Sequence, residues 1–180
     1  MNYRLFRTIN GWSGHPALDA VMKIAAKDLI LLSFLVLGVL AALALRRREL
    51  GRVLAAGVTL ASAFLLGLAA AAVHAERRPF QVHRVHQLVA HAPGQSFPSD
   101  HATAAFAIAL ATLFFLSRPL GVALLALAVL IGVSRVYIGV HYPGDILGSL
   151  LVAVLAVPAG LVAAMVGRAR STRRPGSLRT

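Results

Sequence analysis

Long apolar runs alternate with short polar turns along this chain. Four runs stand out, at residues 29–45, 53–73, 119–138 and 146–166. Each is close to the roughly 20 residues a helix needs to cross about 30 Å of hydrocarbon. A fifth run, 102–116, is shorter; at about 1.5 Å per residue it covers only about 22 Å. If it spans, its polar lead-in SFPSDH (96–101) lies at or slightly below the lipid headgroups. None of the runs alternates apolar with polar residues, as the strands of a membrane barrel do. The opening residues MNYRLFRTINGW lack the apolar core of about 7 to 15 residues that a signal peptide carries. Leu5, Ile9 and Trp12 share one helical face there, with Arg4 and Arg7 elsewhere, which suits a helix lying in the interface. The pattern predicts an all-α polytopic membrane helix bundle with about five transmembrane helices and a short N-terminal interfacial helix. It reads as a single membrane-embedded domain over residues 1–180, with 168–180 a basic cytoplasmic tail.

Composition agrees with membrane residence. Of 180 residues, 58% are hydrophobic and 13% charged, with mean hydropathy +0.78, far more apolar than a soluble domain of this length. The net charge of +12 would raise nucleic acid in a soluble protein, but here most surplus arginines sit in short loops between apolar runs. They report membrane orientation, and no nucleic-acid partner is expected. The absence of cysteine excludes disulfide and thiolate chemistry.

An outside N-terminus places Arg46, Arg47, Arg48, Arg52, Arg118, Arg168, Arg170, Arg173, Arg174 and Arg179 on the inner side. The outer side then holds Arg4, Arg7, Lys23, Lys27, Arg77, Arg78, Arg84 and Arg135. The inner group crowds the helix ends, so this orientation is favoured by the positive-inside rule. It also puts His15, His74, His83, His86, His91, His101 and His141, all the histidines, on the outer side, with every acidic residue except Glu49. Chemistry is therefore expected on the outer face.

Three outer segments carry the candidate groups: ERRPF (76–80), SFPSDH (96–101) and SRVYIGVHYPGD (134–145). Each begins or ends a helix at the same membrane face, so a bundle can gather them. Their kit of arginines, histidines, a serine and an aspartate suits an anionic phosphate. Arg78 and Arg135 offer bidentate donors to phosphoryl oxygens. Ser99 adds a hydroxyl at a helix start, where free amides favour an anion. Arg135 interrupts an apolar helix, where a charge is expensive unless it faces a polar cavity or snorkels to the interface. His141 and Asp145 stand four residues apart; a carboxylate on one ring nitrogen fixes the tautomer and frees the other nitrogen to attack. His101 is then the candidate proton donor to the leaving oxygen. A different reading gathers His83, His86 and His91 as metal ligands of a binding or transport protein, but no fourth ligand is fixed and solvated loop histidines explain the spacing as well.

The three segments together resemble the type 2 phosphatidic acid phosphatase superfamily of membrane lipid phosphatases, whose pattern is K-x6-R-P, P-S-G-H and S-R-x5-H-x3-D. Here the pattern reads Arg78-Pro79, then Pro98-Ser99-Asp100-His101, then Ser134-Arg135 with His141 and Asp145. RPF, the short linker and SFPSDHA look like the bacterial undecaprenyl-diphosphate phosphatases of the bacitracin-resistance type. Those enzymes remove the terminal phosphate of a 55-carbon polyprenyl diphosphate and return the monophosphate carrier to cell-envelope synthesis. The resemblance implies a polyprenyl diphosphate substrate, a location in the bacterial inner membrane and an active site facing the outside or periplasm. It further implies that His141 forms a phosphohistidine, Asp145 orients it, His101 protonates the leaving group and Arg78, Ser99 and Arg135 cradle the phosphoryl group, with no metal and no cofactor. Two positions depart from the pattern. Ala71 stands where the lysine belongs, with Arg77 or His74 as the candidate replacement. Asp100 replaces the glycine, so its backbone amide is the part expected to serve phosphate; the narrower subgroup carries the same aspartate. The same mechanism on phosphatidylglycerophosphate or phosphatidic acid is the alternative.

Overall fold

The computed structural model describes residues 2–172, so most of the basic tail expected from residue 168 lies outside the described residues. Its order is α1 (Asn2–Asn10), α2 (Pro16–Lys27), α3 (Leu29–Arg46), α4 (Leu50–Val73), the single turn α5 (Pro79–Val82), α6 (Asp100–Ala111), α7 (Arg118–Tyr137) and α8 (Pro143–Thr172). A π-helical turn, Thr112–Leu116, extends α6. Among the described residues there are no strands, only an isolated bridge between Arg77 and Gln95.

Four helices, α3, α4, α7 and α8 over Pro143–Ala169, are long and apolar enough to cross a membrane; Asp100–Leu116 is the shorter fifth apolar helix. The expected all-α polytopic bundle is therefore observed. Leu31, Leu35, Phe64, Leu65, Leu68, Leu147, Leu151 and Leu155 stay exposed on its outside, as lipid-facing side chains do. The short helix is the centre. Every residue of α6 from Ala105 to Ala111 is buried, as befits a helix that is apolar all round, and α3, α4, α7 and α8 all pack against it. Its alanines let those neighbours approach closely, which is what binds helices where lipid is as apolar as the side chains. Gly160 serves the same purpose between α4 and α8: an added Cβ there would collide with Thr59 Oγ1 and lie 2.7 Å from the Ala55 carbonyl oxygen.

The end of the bundle where α6 begins and α7 turns into α8 carries a cap that periodicity did not predict in full. α1 forms as expected, but its docking face is different. Leu5 and Trp12 are exposed, while Phe6 and Asn10 are buried. Phe6 meets Tyr142 edge-on, and Asn10 donates to the carbonyls of Tyr137 at 2.8 Å and His86 at 2.9 Å. α2 is an additional helix, started by Pro16 at a position where a missing amide hydrogen is harmless. It is held to α7 where Tyr137 donates to Asp19 at 2.6 Å. Tyr137, Ile138, Val140 and Ala26 form a second small core under this cap.

Candidate active site

The stretch between α7 and α8 makes a tight turn that only glycine can complete. Gly139 has φ +86, and a Cβ there would meet the His86 carbonyl oxygen at 2.8 Å; the left-handed region is open to glycine without strain. The turn delivers His141 inward, 2% exposed, and Pro143 then opens α8, with Asp145 in its first turn and fully buried.

His141 Nδ1 lies 3.2 Å from Asp145 Oδ2, and its Nε2 lies 3.0 Å from Arg78 Nη1. A guanidinium can only donate, so Nε2 is the accepting, unprotonated nitrogen and Nδ1–H donates to the carboxylate. This partner set assigns the tautomer. The same Oδ2 accepts the Tyr142 amide at 2.8 Å and the Ser96 hydroxyl at 2.5 Å. Burial pushes His141 down to about 4; the Asp145 hydrogen bond opposes the shift, while Arg135 and Arg78 add to it. The ring is thus neutral at pH 7, with a lone pair on Nε2.

Arg78 and Arg135 are 8% and 4% exposed. Arg78 precedes the α5 turn and reaches the Val140 carbonyl at 3.4 Å; Arg135 donates to the Ala26 carbonyl at 3.2 Å. Arg135 is therefore not a snorkelling side chain. Burial lowers the Arg78 affinity for its proton, and Asp100 and Asp145 partly restore it. Against these two buried cations only one buried carboxylate, Asp145, is present among the described residues. Nε of both arginines and the hydroxyl of Ser99 are buried without hydrogen-bond partners, so donors and positive charge converge with capacity to spare. Such a surplus matches an anion.

Ser99 is the N-cap of α6. Its amide is held by the Ser149 hydroxyl at 3.0 Å, and that hydroxyl donates to the Asp145 carbonyl at 2.8 Å. The start of α6 is thereby tied to the first turn of α8, and the amides of Asp100 and His101 at the helix start have no intrahelical acceptor. His101 is half-buried in that first turn, within electrostatic reach of Arg135, His141 and Asp100. Asp100 is exposed.

The other candidates lie apart from this group. Arg77 is exposed and lines a separate surface hollow with Glu76 and Gln95, so it does not join Arg78. His74 pairs with Glu76 at 3.6 Å. His83 stacks on Tyr3, His86 bonds the Ser13 hydroxyl at 2.6 Å and His91 bonds the Ala92 carbonyl at 3.1 Å. The three histidines thus have separate partners, and no group of three metal-ligating side chains is placed to hold an ion among the described residues. Beside the site runs an apolar groove of about 360 Å³, lined among others by Gly67, Ala71, Pro98, Asp100 and Ala107. Asp100 and Thr103 are its only polar lining residues.

Sequence reasoning missed Ser96 and Ser149. A hydroxyl in a loop or an apolar helix gives no periodic signal, although Ser96 stands two residues before Pro98 in a segment already singled out for its polarity.

Residues 52–169, which contain this whole constellation, match the PAP2 superfamily. The chain belongs to that superfamily. The PAP2 match is joined by the undecaprenyl-diphosphatase BcrC of Bacillus subtilis (strain 168), 40% identical over 162 residues that span 86% of this chain and 80% of that protein. Among solved structures, Aquifex aeolicus LpxE superposes with a TM-score of 0.71 at 26% identity, covering 91% of this chain and 94% of its own. A PAP2 type phosphatidylglycerolphosphate phosphatase from Bacillus subtilis shares the fold, with a TM-score of 0.62 at 22% identity over 96% of this chain and 88% of its own. This PAP2 chain is thus a multi-pass membrane protein.

Proposed function

We propose that this protein is an undecaprenyl-diphosphate phosphatase that releases the terminal phosphate through a phosphohistidine on His141, acting at the outer face of the inner membrane. The observation that carries the mechanism is the row Arg78–His141–Asp145, in which one ring nitrogen is held by a carboxylate and the other keeps its lone pair. The BcrC relative supports the substrate.

His141 Nε2 attacks the terminal phosphorus in line with the bridging oxygen; the P–N bond forms as the P–O bond breaks. His101, charged once the anionic diphosphate lies beside it, gives its proton to the departing undecaprenyl phosphate; it then takes a proton from the water whose oxygen displaces His141 from phosphorus as the P–N bond breaks. Arg78, Ser99, Arg135 and the first amides of α6, including that of Asp100, hold the phosphoryl oxygens. Phosphoryl transfer needs chiefly position and charge stabilisation, and fixed, buried donors supply both. Asp145 keeps the ring oriented between the two steps. Arg77, exposed at a separate surface hollow, is left out of this set. The scheme draws on side chains and amides alone.

The lipid tail stays in the bilayer. Each methylene drawn into water costs about 0.8 kcal/mol, so the diphosphate is met at headgroup depth while the tail enters the groove beside Asp100. Phosphate release by purified protein in detergent decides the substrate: undecaprenyl diphosphate is expected to turn over faster than phosphatidylglycerophosphate and phosphatidate. Equal or faster release from either glycerolipid overturns the assignment.

A further inference from the structure

Ser96 lies in the segment that links α5 to α6 and is fully buried. Its amide donates to the Glu76 carbonyl at 2.7 Å, two residues before Arg78. Its hydroxyl donates to Asp145 Oδ2 at 2.5 Å and lies 3.5 Å from His141 Nδ1. A single residue therefore touches the segment that carries Arg78, the carboxylate in the first turn of α8 and the ring that the carboxylate holds.

The pattern of donors on Asp145 gives this contact its weight. Oδ2 accepts His141 Nδ1–H, the Tyr142 amide and the Ser96 hydroxyl, whereas Oδ1 is buried without a partner. Rotation of a carboxylate about its last bond is broad and two-fold, so the two oxygens exchange unless donors favour one of them. His141 and Tyr142 belong to the same short stretch as Asp145 and move with it. Ser96 is the one donor of the three that comes from elsewhere in the chain, and it is anchored at its own backbone.

We infer that Ser96 is a positioning residue for phosphoryl transfer: its hydroxyl locks Asp145 so that the His141 ring keeps Nε2 aimed at the phosphoryl group. The inference rests on the proposed histidine mechanism. Loss of this donor has a definite electrostatic sign. A hydroxyl that donates to a carboxylate draws on its negative charge; without that donor more of the charge falls on His141 Nδ1–H, and the imidazole holds an added proton more tightly. The other charged or titratable groups that face the pair, Arg78, Arg135 and His101 around His141 and Glu76 near Asp145, remain in place.

The test measures kcat, KM and the pH profile of phosphate release from undecaprenyl diphosphate by wild type, Ser96→Ala, Ser96→Cys and His141→Ala. Ser96→Ala is expected to lower kcat about tenfold to a hundredfold, the usual effect of removing a partner that orients a reacting group. KM should stay near wild type, and the acid limb of kcat should move to higher pH. Ser96→Cys, a weaker donor of similar size, should fall between the two and carries the same readout if the alanine variant does not fold. An unchanged kcat and limb overturns the inference, and so does a loss of kcat with the limb unmoved, which is the mark of a merely structural hydroxyl. Failure of the underlying mechanism looks different: wild type would release no phosphate, or His141→Ala would still release it.

Discussion

Arg78 Nη1 lies 3.0 Å from His141 Nε2, so the guanidinium rests on the lone pair that the proposed reaction uses. The contact protects the tautomer before substrate arrives. It also means that a phosphoryl group must draw Arg78 from the ring onto its own oxygens, so that binding and exposure of the nucleophile are one event. Arg78→Lys keeps the charge but loses the planar fork. It is expected to raise KM and to lower kcat about a hundredfold in a steady-state assay, with retention of activity within a factor of two counting against the coupling.

Removal of the nucleophile is the plainest test of the chemistry. His141→Ala should abolish turnover, and wild type trapped during turnover should carry acid-labile, base-stable phosphate on this residue. Labelled phosphate that persists in the alanine variant assigns the attack to another group.

His101 is tested by varying the leaving group. General acid catalysis contributes about a hundredfold to ten-thousandfold, and less where the leaving oxygen needs no proton. His101→Ala should therefore lose far more activity on undecaprenyl diphosphate than on an aryl phosphate with an acidic phenol. Equal losses would remove the proton-transfer role.

The pH dependence follows from burial of His141. Its folded value of about 4 lies below the ordinary value near 6.5, so the native state favours the neutral ring. Its contribution to stability is fully present above about pH 6.5 and is lost as pH falls toward 4. Phosphate release should not lose the His141 lone pair between pH 7 and 5, and should fall through the region near 4. Titration of the ring near 6.5, followed by NMR of labelled histidine, would contradict this.

The groove offers a test of the tail site. An added Cβ at Gly67 would approach only Thr103 Cγ2, at 3.8 Å, so Gly67→Ala should be tolerated, whereas Gly67→Leu fills the channel. The leucine variant is expected to raise KM for undecaprenyl diphosphate about tenfold while hydrolysis of a short-chain diphosphate stays close to wild type. Gly160→Val is the contrasting case: it forces α4 and α8 apart and should lower thermal stability by about 1 to 3 kcal/mol through overpacking, whatever the substrate.

Much of this arrangement was legible in the residues because lipid imposes strong rules. Long apolar runs had to be helices, and the polar stretch SFPSDH had to open the short one. Arg135 in an apolar helix and His141 four residues before Asp145 announced a polar interior, and the three segments do meet. Other features had no such signal. α2 is too short and too mixed in character for its run to be counted, and tertiary contacts with α7 hold it. The docking face of α1 was misread because Phe6 is buried by Tyr142, a neighbour 136 positions away in sequence, while the face that looked apolar stays outside. Arg77 and Arg78 are adjacent and chemically alike; only the Arg77–Gln95 bridge separates their destinations.

The enclosure of α6 has a mechanical consequence. Wrapped by its neighbours and tied at its N-terminal end through Ser99 and Ser149, it transmits no direct force from the surrounding hydrocarbon. Changes in bilayer thickness fall on the outward-facing helices, which can answer by tilting. Ser99 and His101 at its start thus keep a depth measured from the inside of the protein, and the membrane around it acts as a container and not as a ruler.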